Sequence, residues 1–326
     1  MNSGILLIDK PQGITSHDVV ARTRRLAGTR KIGHAGTLDP MATGLLVLGV
    51  NHATRLLHHL VGLDKEYLAT IRLGWGTTTD DAEGEPGPAA SADRIAAATE
   101  AAVAAGMLRQ SGVIEQVPSA VSAVKVAGRR AYQRVRDGEQ VELAARTVTV
   151  SAFELLALRP GDGVVDVDVR VECSSGTYVR ALARDLGADL GTGGHLTALR
   201  RTRIGAFRVD EAAGLEGLDV AASLMSPADA ARRVLPVAAL TAQQAVDLGH
   251  GKRVEASGIK VSGVEASGIE ASGIEASGIE ASADLDSVTG EAIAAIDPDD
   301  RLVAIVERHG RSLKVVTGFP PGEAPA

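Results

Sequence analysis

The sequence predicts an α+β fold that consists of a mixed β-sheet domain followed by a small β domain. Strand-like and helix-like segments alternate without the regular strand–helix–strand repeat of a doubly wound fold. The chain has 326 residues, which is longer than most single domains. Its character changes after residue 235, where a short repeated unit interrupts strand-like runs. We therefore predict two domains, residues 1–235 and 236–326.

The first part of the chain predicts three strands, one helix and a long loop. A short apolar run, ILLIDKP, predicts a strand that ends at Pro11. The segment SHDVVARTRRLAG predicts a helix with Ser16 at its N-cap and Gly28 just past its end. The runs LLVLGV and EYLATIRLGW predict buried or half-buried strands. A polar stretch rich in Gly and Pro, TTTDDAEGEPGPAAS, then predicts a surface loop.

The middle of the chain predicts a helix, a strand and a second helix. SADRIAAATEAAVAAG is rich in Ala and has a Gly at its C-terminal end, which predicts one helix. VVDVDVRVECSSGTY alternates apolar and acidic residues, which is typical of a half-buried strand. VRALARDLGADLG then returns to helical spacing. These irregular alternations favour a mixed sheet over a parallel one.

Six copies of a five-residue unit, VEASG in the first, occupy residues 254–283. A period of five matches neither the repeat of a strand nor the repeat of a helix, which is about 3.6 residues. A pentapeptide β-helix is the alternative, but six units would form only about one and a half coils, too few to bury a core. We predict a flexible acidic insertion in the β domain, with short strands in LTAQQAVDLGHGKRV and EAIAAIDPDDRLVAIVERHGRSLKVVTGF on its two sides.

Composition argues against several classes of site. Cys173 is the single cysteine, so neither a disulfide framework nor a cysteine-based zinc site can form within the chain, and we expect it to be buried. The eight histidines are scattered, and neither a G-x-S-x-G elbow nor a Walker-type glycine loop occurs. The N-terminus does not resemble a signal peptide, and no apolar run approaches the roughly 20 residues of a membrane span. We expect a soluble, cytoplasmic protein.

The formal charge of −7 conceals three basic clusters. Residues 254–286 hold five Glu, two Asp and one Lys, a net charge of −6, so the rest of the chain is near −1. Each basic cluster alone is typical of a solvated face, but the three together suggest a phosphate-binding surface. The clusters are Arg22, Arg24, Arg25, Arg30 and Lys31; Lys125, Arg129, Arg130, Arg134 and Arg136; and Arg200, Arg201, Arg203 and Arg208.

The stretch GHAGTLDPMATG, residues 33–44, presents one carboxylate, that of Asp39. Pro40 restricts Asp39 to extended backbone, so its side chain projects from a loop and not from a helix. Gly33 and Gly36 leave little side-chain bulk, which permits another backbone to approach. A turn-forming Asp-Pro pair explains these facts equally well. The loop alone therefore assigns no function.

Five segments, in the same order along the chain, resemble motifs of the bacterial TruB family of tRNA pseudouridine synthases. They are GILLIDKPQGITSHDVV, KIGHAGTLDPMATGLLVLGVNHATRLL, KEYLATIRLGWGTTTDDAEGE, KVAGRRAYQRVRDGEQVELAARTVTV and CSSGTYVRALARDLG, and the similarity extends through GGHLTALRRTRIGAF. The resemblance implies a pseudouridine synthase catalytic domain with a mixed, mainly antiparallel central sheet. It also implies an RNA-gripping insertion at about residues 125–146 and a small PUA-like β domain at the C-terminus, of whose family pattern the VEASG repeats are no part.

The resemblance implies that the protein converts uridine 55 of the tRNA T-loop to pseudouridine after extruding the nucleotide from its stack. This reaction breaks the N1–C1′ bond and joins C1′ to C5 without net redox change or hydrolysis. We therefore expect no cofactor and no metal. The expected partner is tRNA, bound at its T-arm and elbow, and we expect a monomer without an obligatory protein partner.

Carried over residue by residue, the resemblance makes Asp39 the catalytic aspartate, Arg180 the guanidinium paired with it and Tyr67 the ring that stacks on the target base. An opposite charge a few Å away favours the ionised form of a carboxylate. His34 would occupy the space that the flipped base vacates. The remaining substrate contacts that the resemblance implies are Tyr178 and Leu199 in the pocket wall, and Lys10, Arg30, Lys31, Lys125, Arg129 and Arg130.

Several alternatives stay open at this point. Asp39 could attack C6 of uracil, attack C1′ of the ribose or remove a sugar proton, and Tyr67 could relay or accept the proton that C5 loses. A tRNA-folding or tRNA-binding module that opens the elbow without obligatory catalysis is the alternative function. An RNA-guided pseudouridylase that needs partner proteins shares the catalytic motif, but the separate gripping segment argues against it.

Overall fold

The computed structural model describes residues 2–119, 125–126, 129–130, 143–263, 283–284 and 292–320. It confirms the predicted α+β class, with a ten-stranded mixed sheet and a separate seven-stranded sheet at the C-terminus. The described helices are α1 (Ser16–Ala27), α2 (Leu57–Val61), α3 (Ala92–Ala97), α4 (Glu100–Arg109), α5 (Val179–Leu190), α6 (Pro227–Arg232) and α7 (Ala242–Gly249).

The strands of the ten-stranded sheet, together with a two-stranded hairpin formed by β6 and β7, come first along the chain. They are β1 (Gly4–Lys10), β2 (Ile32–Ala35), β3 (Thr43–Val50), β4 (Lys65–Leu73), β5 (Gly112–Gln116), β6 (Lys125–Val126), β7 (Arg129–Arg130), β8 (Arg146–Gly161), β9 (Val164–Cys173), β10 (Gly194–Ile204), β11 (Phe207–Arg208) and β12 (Ala213–Gly214). The C-terminal sheet consists of β13 (Val237–Ala239), β14 (Val254–Glu255), β15 (Lys260–Ser262), β16 (Ala283–Asp284), β17 (Ile293–Ile296), β18 (Leu302–His309) and β19 (Ser312–Gly318).

The order of the large sheet places β4 and β10 beside the loop that follows β2. The order is β12-β1-β3-β10-β4-β9-β8-β5, with β2 paired to β3 and β11 to β10. Among the described strands of this sheet, the pairings are antiparallel except for β1 with β12 and β3 with β10. Because β3 pairs with both β2 and β10, the β2–β3 loop lies against the middle of the sheet.

Helix α1 begins one residue earlier than its predicted cap implies. Thr15, and not Ser16, is the N-cap: its side chain accepts from the N–H of Asp18, whose carboxylate in turn accepts from the N–H of Thr15. The Ser16 side chain is buried and turns towards the β2–β3 loop instead. The predicted stop is confirmed, because Gly28 has a left-handed φ of 63°.

The Ala-rich segment predicted as one helix forms two, α3 and α4. Thr99 has extended backbone and its side chain accepts from the N–H of Ala102, so it caps a new helix where the prediction continued the first one. Gly106, which was predicted to end the helix, lies inside α4. A Cβ there would lie 2.6 Å from a methyl carbon of Leu186, so this glycine permits α4 and α5 to pack closely.

The structure confirms the alternating pattern predicted for β9, and the side chains on both faces of this strand contact other elements. Its alternate valines, from Val165 to Val171, are buried in a core cluster that includes residues of α4 and α5. On the other face the charged side chains pair across strands, because the Arg170 guanidinium donates to the carboxylates of Glu66 and Glu154, at 2.9 and 2.6 Å. Asp166 of β9 accepts from Arg72 of β4 at 2.7 Å in the same way. The acidic residues of this strand therefore belong to ion pairs across the sheet.

The C-terminal sheet has the order β14-β19-β18-β17-β13-β15-β16. One strand prediction is wrong. Residues 242–249 form α7, because Thr241 and Gln244 make a capping box that starts a helix. The first two repeat units contribute β14 and β15 to this sheet. The predicted insertion, residues 254–283, thus begins inside the sheet, and its part from 264 to 282 lies outside the described residues.

The two sheets share a hydrophobic cluster. It joins Ile5 and Leu7 of β1, Ala231 of α6, and Ile305 of β18. The boundary predicted at residue 235 stays a prediction, since this apolar contact continues across it. None of the helices in the described ranges is long and apolar enough to cross a membrane.

Candidate active site

The loop that carries Asp39 joins β2 to β3, and each of five successive carbonyl groups in it accepts a hydrogen bond. The acceptors and donors are Gly36 and Thr37 with the Arg201 guanidinium (3.1 and 3.4 Å), Leu38 with the Ser16 hydroxyl (3.1 Å), Asp39 with the Ala42 N–H (3.1 Å), and Pro40 with the Gly13 N–H (2.9 Å). The loop therefore has a defined conformation, because residues outside it satisfy four of these backbone acceptors and Ala42 within it satisfies that of Asp39.

The carboxylate of Asp39 contacts the guanidinium of Arg180. The distance between Asp39 Oδ2 and Arg180 Nε is 3.0 Å. The Arg180 side chain is 5% exposed and that of Asp39 is 37% exposed, so the cation is buried while the carboxylate reaches solvent. Arg180 comes from the first turn of α5, which enters the core through the buried residues Val179 and Leu182. This geometry leaves part of the Asp39 carboxylate free to meet a substrate.

A second carboxylate, that of Asp81, lies on the other side of Arg180. Asp81 Oδ2 is 3.3 Å from Arg180 Nη1, which also donates to the Thr79 carbonyl at 2.8 Å. The Asp81 side chain is 3% exposed and accepts from the Thr79 hydroxyl at 2.5 Å and the Glu83 N–H at 3.1 Å. Arg180 thus bridges a buried carboxylate and an accessible one.

The turn that carries Asp81 is held from several directions. The neighbouring Asp80 has a left-handed φ of 61°, a conformation that Asp tolerates better than most residues. Its carboxylate accepts from the Ser119 hydroxyl at 2.7 Å and lies 3.4 Å from Arg184 Nη1. Because this turn is fixed, Asp81 can hold Arg180 in one orientation.

Tyr67 and Leu199 line the apolar side of the same site. Both are buried, at 8% and 7% exposure, and they share a core cluster with Leu38 and Met41, which flank Asp39 in the chain. Burial raises the pKa of Tyr67, and the nearby charge of Arg201 acts in the opposite direction. The phenol is therefore protonated at neutral pH and presents a ring beside the aspartate loop.

Tyr178 stands immediately before α5 and is half-buried. Its backbone is clamped by the buried side chain of Gln116, whose oxygen accepts from the Tyr178 N–H at 2.8 Å and whose amide donates to the Tyr178 carbonyl at 3.2 Å. The clamp fixes the start of the helix that carries Arg180. Sequence patterns did not single out Gln116.

His34 lies on β2, half-buried, with its ring edge-to-face against His17 at a centroid distance of 5.6 Å. Burial, followed by the neighbouring His17, lowers the pKa of His34. The ring is therefore neutral at pH values near 7. A neutral imidazole on β2, just before the β2–β3 loop, can pack against nucleic acid without adding charge.

The chain is similar over nearly its whole length to proteins named tRNA pseudouridine synthase B. The relative from Leifsonia xyli subsp. xyli is 53% identical over 323 residues, which cover 99% of this chain and 98% of the relative. The relative from Thermobifida fusca is 58% identical over 262 residues, which cover 79% and 88%. The chain belongs to the TruB family. Family models agree, with "TruB family pseudouridylate synthase (N terminal domain)" matching residues 24–179 and "tRNA pseudouridylate synthase B C-terminal domain" matching residues 180–240.

Solved structures share the fold of this TruB-family chain. A crystal structure of a Cbf5–Nop10–Gar1 complex aligns with a TM-score of 0.69 at 26% identity, covering 98% of this chain and 85% of the other. An H/ACA RNP bound to a substrate RNA that contains 2′-deoxyuridine aligns with a TM-score of 0.68 at 24% identity over the same shares. The second likeness is at the level of the fold alone.

The structure of this TruB-family chain brings four predicted site residues together, and others lie apart. Asp39, Arg180, Tyr67 and Leu199 meet around the β2–β3 loop, and Tyr178 is two residues before Arg180 in the chain. Arg30 and Lys31 are exposed beyond the end of α1. Lys125, Arg129 and Arg130 belong to the β6–β7 hairpin, and their side chains lie outside what the structure describes. The roles of all these residues stay predictions.

Only half of the third basic cluster lies on the surface of the TruB-family chain, namely Arg200 and Arg208, whose side chains are 39% and 60% exposed. Arg201 is 1% exposed and Arg203 is 8% exposed, so neither is on a solvated face or available to phosphate. Arg203 instead lies 3.4 Å from the Glu172 carboxylate. The physical reason is position in the sheet, because β10 runs between β3 and β4, where one face of the strand points into the core.

Lys10, a predicted substrate contact, is fully buried. Its ammonium donates to the carbonyls of Ile14, Pro11 and Pro40, at 2.7, 3.0 and 3.3 Å, which occupies all three of its protons. It thus supports the Asp39–Pro40 turn from beneath. Substrate binding by Lys10 stays a prediction, and its described contacts are with backbone.

Between about pH 8 and 10 we expect the free energy of unfolding of the wild type to rise relative to that of Lys10→Met. Burial lowers the pKa of Lys10 from 10.5 to about 8. In this window the folded chain has released the proton while the unfolded chain keeps it, so the unfolded state binds more protons and stability rises with pH. The relative gain is at most about 3 kcal/mol. Denaturant unfolding at several pH values measures it.

The control is Lys252→Met, which removes a 65% exposed ammonium. Its unfolding free energy should run parallel to that of the wild type over the same window. Parallel curves for the wild type and Lys10→Met would contradict a buried Lys10 that changes its protonation on unfolding.

Proposed function

We propose that the protein is an isomerase that converts uridine 55 in the tRNA T-loop to pseudouridine. Membership of the TruB family supports this function, and the names of its relatives describe pseudouridine synthesis in tRNA. The observation that carries the proposal is the contact of Asp39 with the buried Arg180, at 3.0 Å. A carboxylate held by a buried guanidinium is fixed in orientation, which is a requirement for its use as a nucleophile or base.

The target uridine must leave the T-loop stack before this carboxylate can reach it. Extruding a base from a stack costs on the order of a few kcal/mol. Stacking on an aromatic ring recovers about 1–3 kcal/mol per base. Tyr67, with the apolar side chain of Leu199 in the same cluster, is the ring we assign to this role. Tyr178 forms a further wall, and His34 fills the space left in the RNA.

Asp39 acts on the ribosyl-uracil unit, and three routes are compatible with its position. It attacks C6 of uracil, attacks C1′ of the ribose, or removes a sugar proton. In each route the N1–C1′ bond breaks, C1′ joins C5, and C5 loses its proton, which we assign to Tyr67 as relay or base. The reaction involves no net oxidation and no hydrolysis, so the proposed chemistry requires no cofactor.

Binding of tRNA is electrostatic in this proposal. Arg22, Arg25 and Arg30 are exposed on or just beyond α1, and Lys31 is exposed beside them. Together with the hairpin residues Lys125, Arg129 and Arg130 they would hold phosphates on two sides of the T-arm, so affinity should fall steeply with salt. We propose that the protein works as a monomer in the cytoplasm without an obligatory protein partner. The partner proteins Nop10 and Gar1 belong to the solved Cbf5 complex.

Tritium release from 5-tritiated uridine in a T-arm transcript tests the proposal. The wild-type protein should release tritium in proportion to pseudouridine formed, since C5 exchanges its hydrogen for a bond to C1′. A transcript that carries cytidine at position 55, with its other uridines labelled, should release none. A protein that only binds or refolds tRNA would release no tritium from either transcript, and that result would favour the alternative function.

A further inference from the structure

Arg201 is the largest of the fully buried side chains, and it connects two parts of the site. Its position in β10 pairs directly with Tyr67 in β4. From there its guanidinium extends to the β2–β3 loop and donates to the carbonyls of Gly36 and Thr37, which are three and two residues before Asp39. It also donates to the Leu45 carbonyl in β3, at 2.8 Å. One side chain therefore touches the aspartate loop and neighbours the tyrosine strand.

This guanidinium is a buried charge without a carboxylate. Among the residues that the structure describes, Arg201 makes no ion pair; it donates to three backbone carbonyls and also interacts with the uncharged Tyr67 side chain. A buried cation is costly unless it is paired, and an apolar side chain of the same size would pack there without that cost. A requirement of folding alone is thus a poor explanation for Arg201.

The backbone around Arg201 is adapted to its position. Arg201 pairs with Gly44 of β3, which has a φ of 101°. A Cβ at Gly44 would lie 2.2 Å from the Arg201 carbonyl oxygen, so only glycine permits β10 to approach this closely. Gly36, the first residue whose carbonyl binds the guanidinium, also has a left-handed φ, of 88°. Two glycines therefore bring the aspartate loop and the arginine strand together.

The charge of Arg201 reaches the titratable groups around the site. It opposes the effect of burial on the pKa of Tyr67, and it contributes to the lowered pKa values of His34 and Lys10. All three groups surround the β2–β3 loop. The site therefore contains a second fixed positive charge besides that of Arg180.

We propose that Arg201 is a positioning residue of the isomerisation, which fixes the turn before Asp39 and holds a positive charge beside Tyr67. This inference rests on the proposed function. It predicts that Arg201 acts on the chemical step through the orientation of Asp39, and that binding of the T-arm depends on it little. Nearby Arg203, on the same strand and also buried, touches Glu172 and the Gly205 carbonyl instead of the loop. It is the matched control.

The experiment compares Arg201→Met, Arg201→Lys and Arg203→Met with the wild type in single-turnover tritium release. Each variant is also tested for T-arm affinity by filter binding and for its Tm. We expect the rate constant of Arg201→Met to fall about 100-fold, the loss that a misplacement of about 1 Å can cause. Arg201→Lys keeps the positive charge but loses the planar guanidinium, so its rate constant should fall less than that of Arg201→Met. Arg203→Met should keep its rate constant within about threefold.

The rate constant separates positioning from folding. A merely structural role lowers the concentration of folded protein and leaves the rate constant at saturating folded protein unchanged. If Arg201→Met does not fold, Arg201→Lys decides: a lower rate constant at unchanged T-arm affinity supports the proposal, and a wild-type rate constant overturns it. An equal loss in Arg203→Met would also overturn it. No release by the wild type would instead remove the proposed function, and this inference with it.

Discussion

Asp39→Asn should reduce the single-turnover rate of tritium release by about 10,000-fold or more, as removal of a catalytic nucleophile or base does elsewhere. The asparagine side chain has the same shape and can still accept from Arg180. It has no charge, so it can neither attack the ribosyl-uracil unit nor accept a proton from it. Affinity for a T-arm transcript should stay within a few-fold of wild type, because the basic side chains assigned to phosphate contacts lie elsewhere.

Asp9→Asn is a matched control for this substitution. The Asp9 carboxylate is 34% exposed and paired with Arg200 at 2.7 Å, so it resembles Asp39 in exposure and in having an arginine partner. It does not contact Arg180. We expect near-normal tritium release from this variant. Release by both the wild type and Asp39→Asn, or by neither, would remove Asp39 from its assigned role.

The position of Asp39 in a loop could be predicted from the residues around it. Pro40 excludes a helix there, and Gly36 adopts the left-handed backbone that favours glycine. The rigidity of this loop could not be predicted. Its carbonyls accept hydrogen bonds from Arg201, Ser16 and Gly13, which come from segments far from the loop in the sequence.

Burial of charged residues was the point where local patterns failed most clearly. Arg200, Arg201 and Arg203 form a basic run that is typical of a surface, yet two of the three are buried because β10 is a central strand. Asp81 was part of a polar stretch predicted as a surface loop, and its side chain is 3% exposed. The adjacent pair Asp80–Asp81 in an otherwise glycine- and proline-rich loop was the available signal.

Asp81 also changes what should be expected of Arg180. Among the described residues, Arg180 is the cation within ion-pair distance of the buried Asp81. Arg180→Met should therefore lower the free energy of unfolding by about 3–5 kcal/mol, because it leaves a buried carboxylate without its cation. It should also lower the single-turnover rate of tritium release by about 100-fold or more, because Asp39 loses the group that orients it. Urea unfolding and single-turnover release measure the two effects separately.

The double variant Arg180→Met/Asp81→Asn separates the two functions of this arginine. Neutralising Asp81 removes the uncompensated buried charge, so the double variant should regain much of the unfolding free energy that Arg180→Met loses. It should regain none of the activity, because Asp39 still has no guanidinium beside it. Recovery of tritium release together with stability would mean that Arg180 acts on catalysis only through the fold. A stable but inactive double variant would mean that the Asp39–Arg180 contact itself is needed for the reaction.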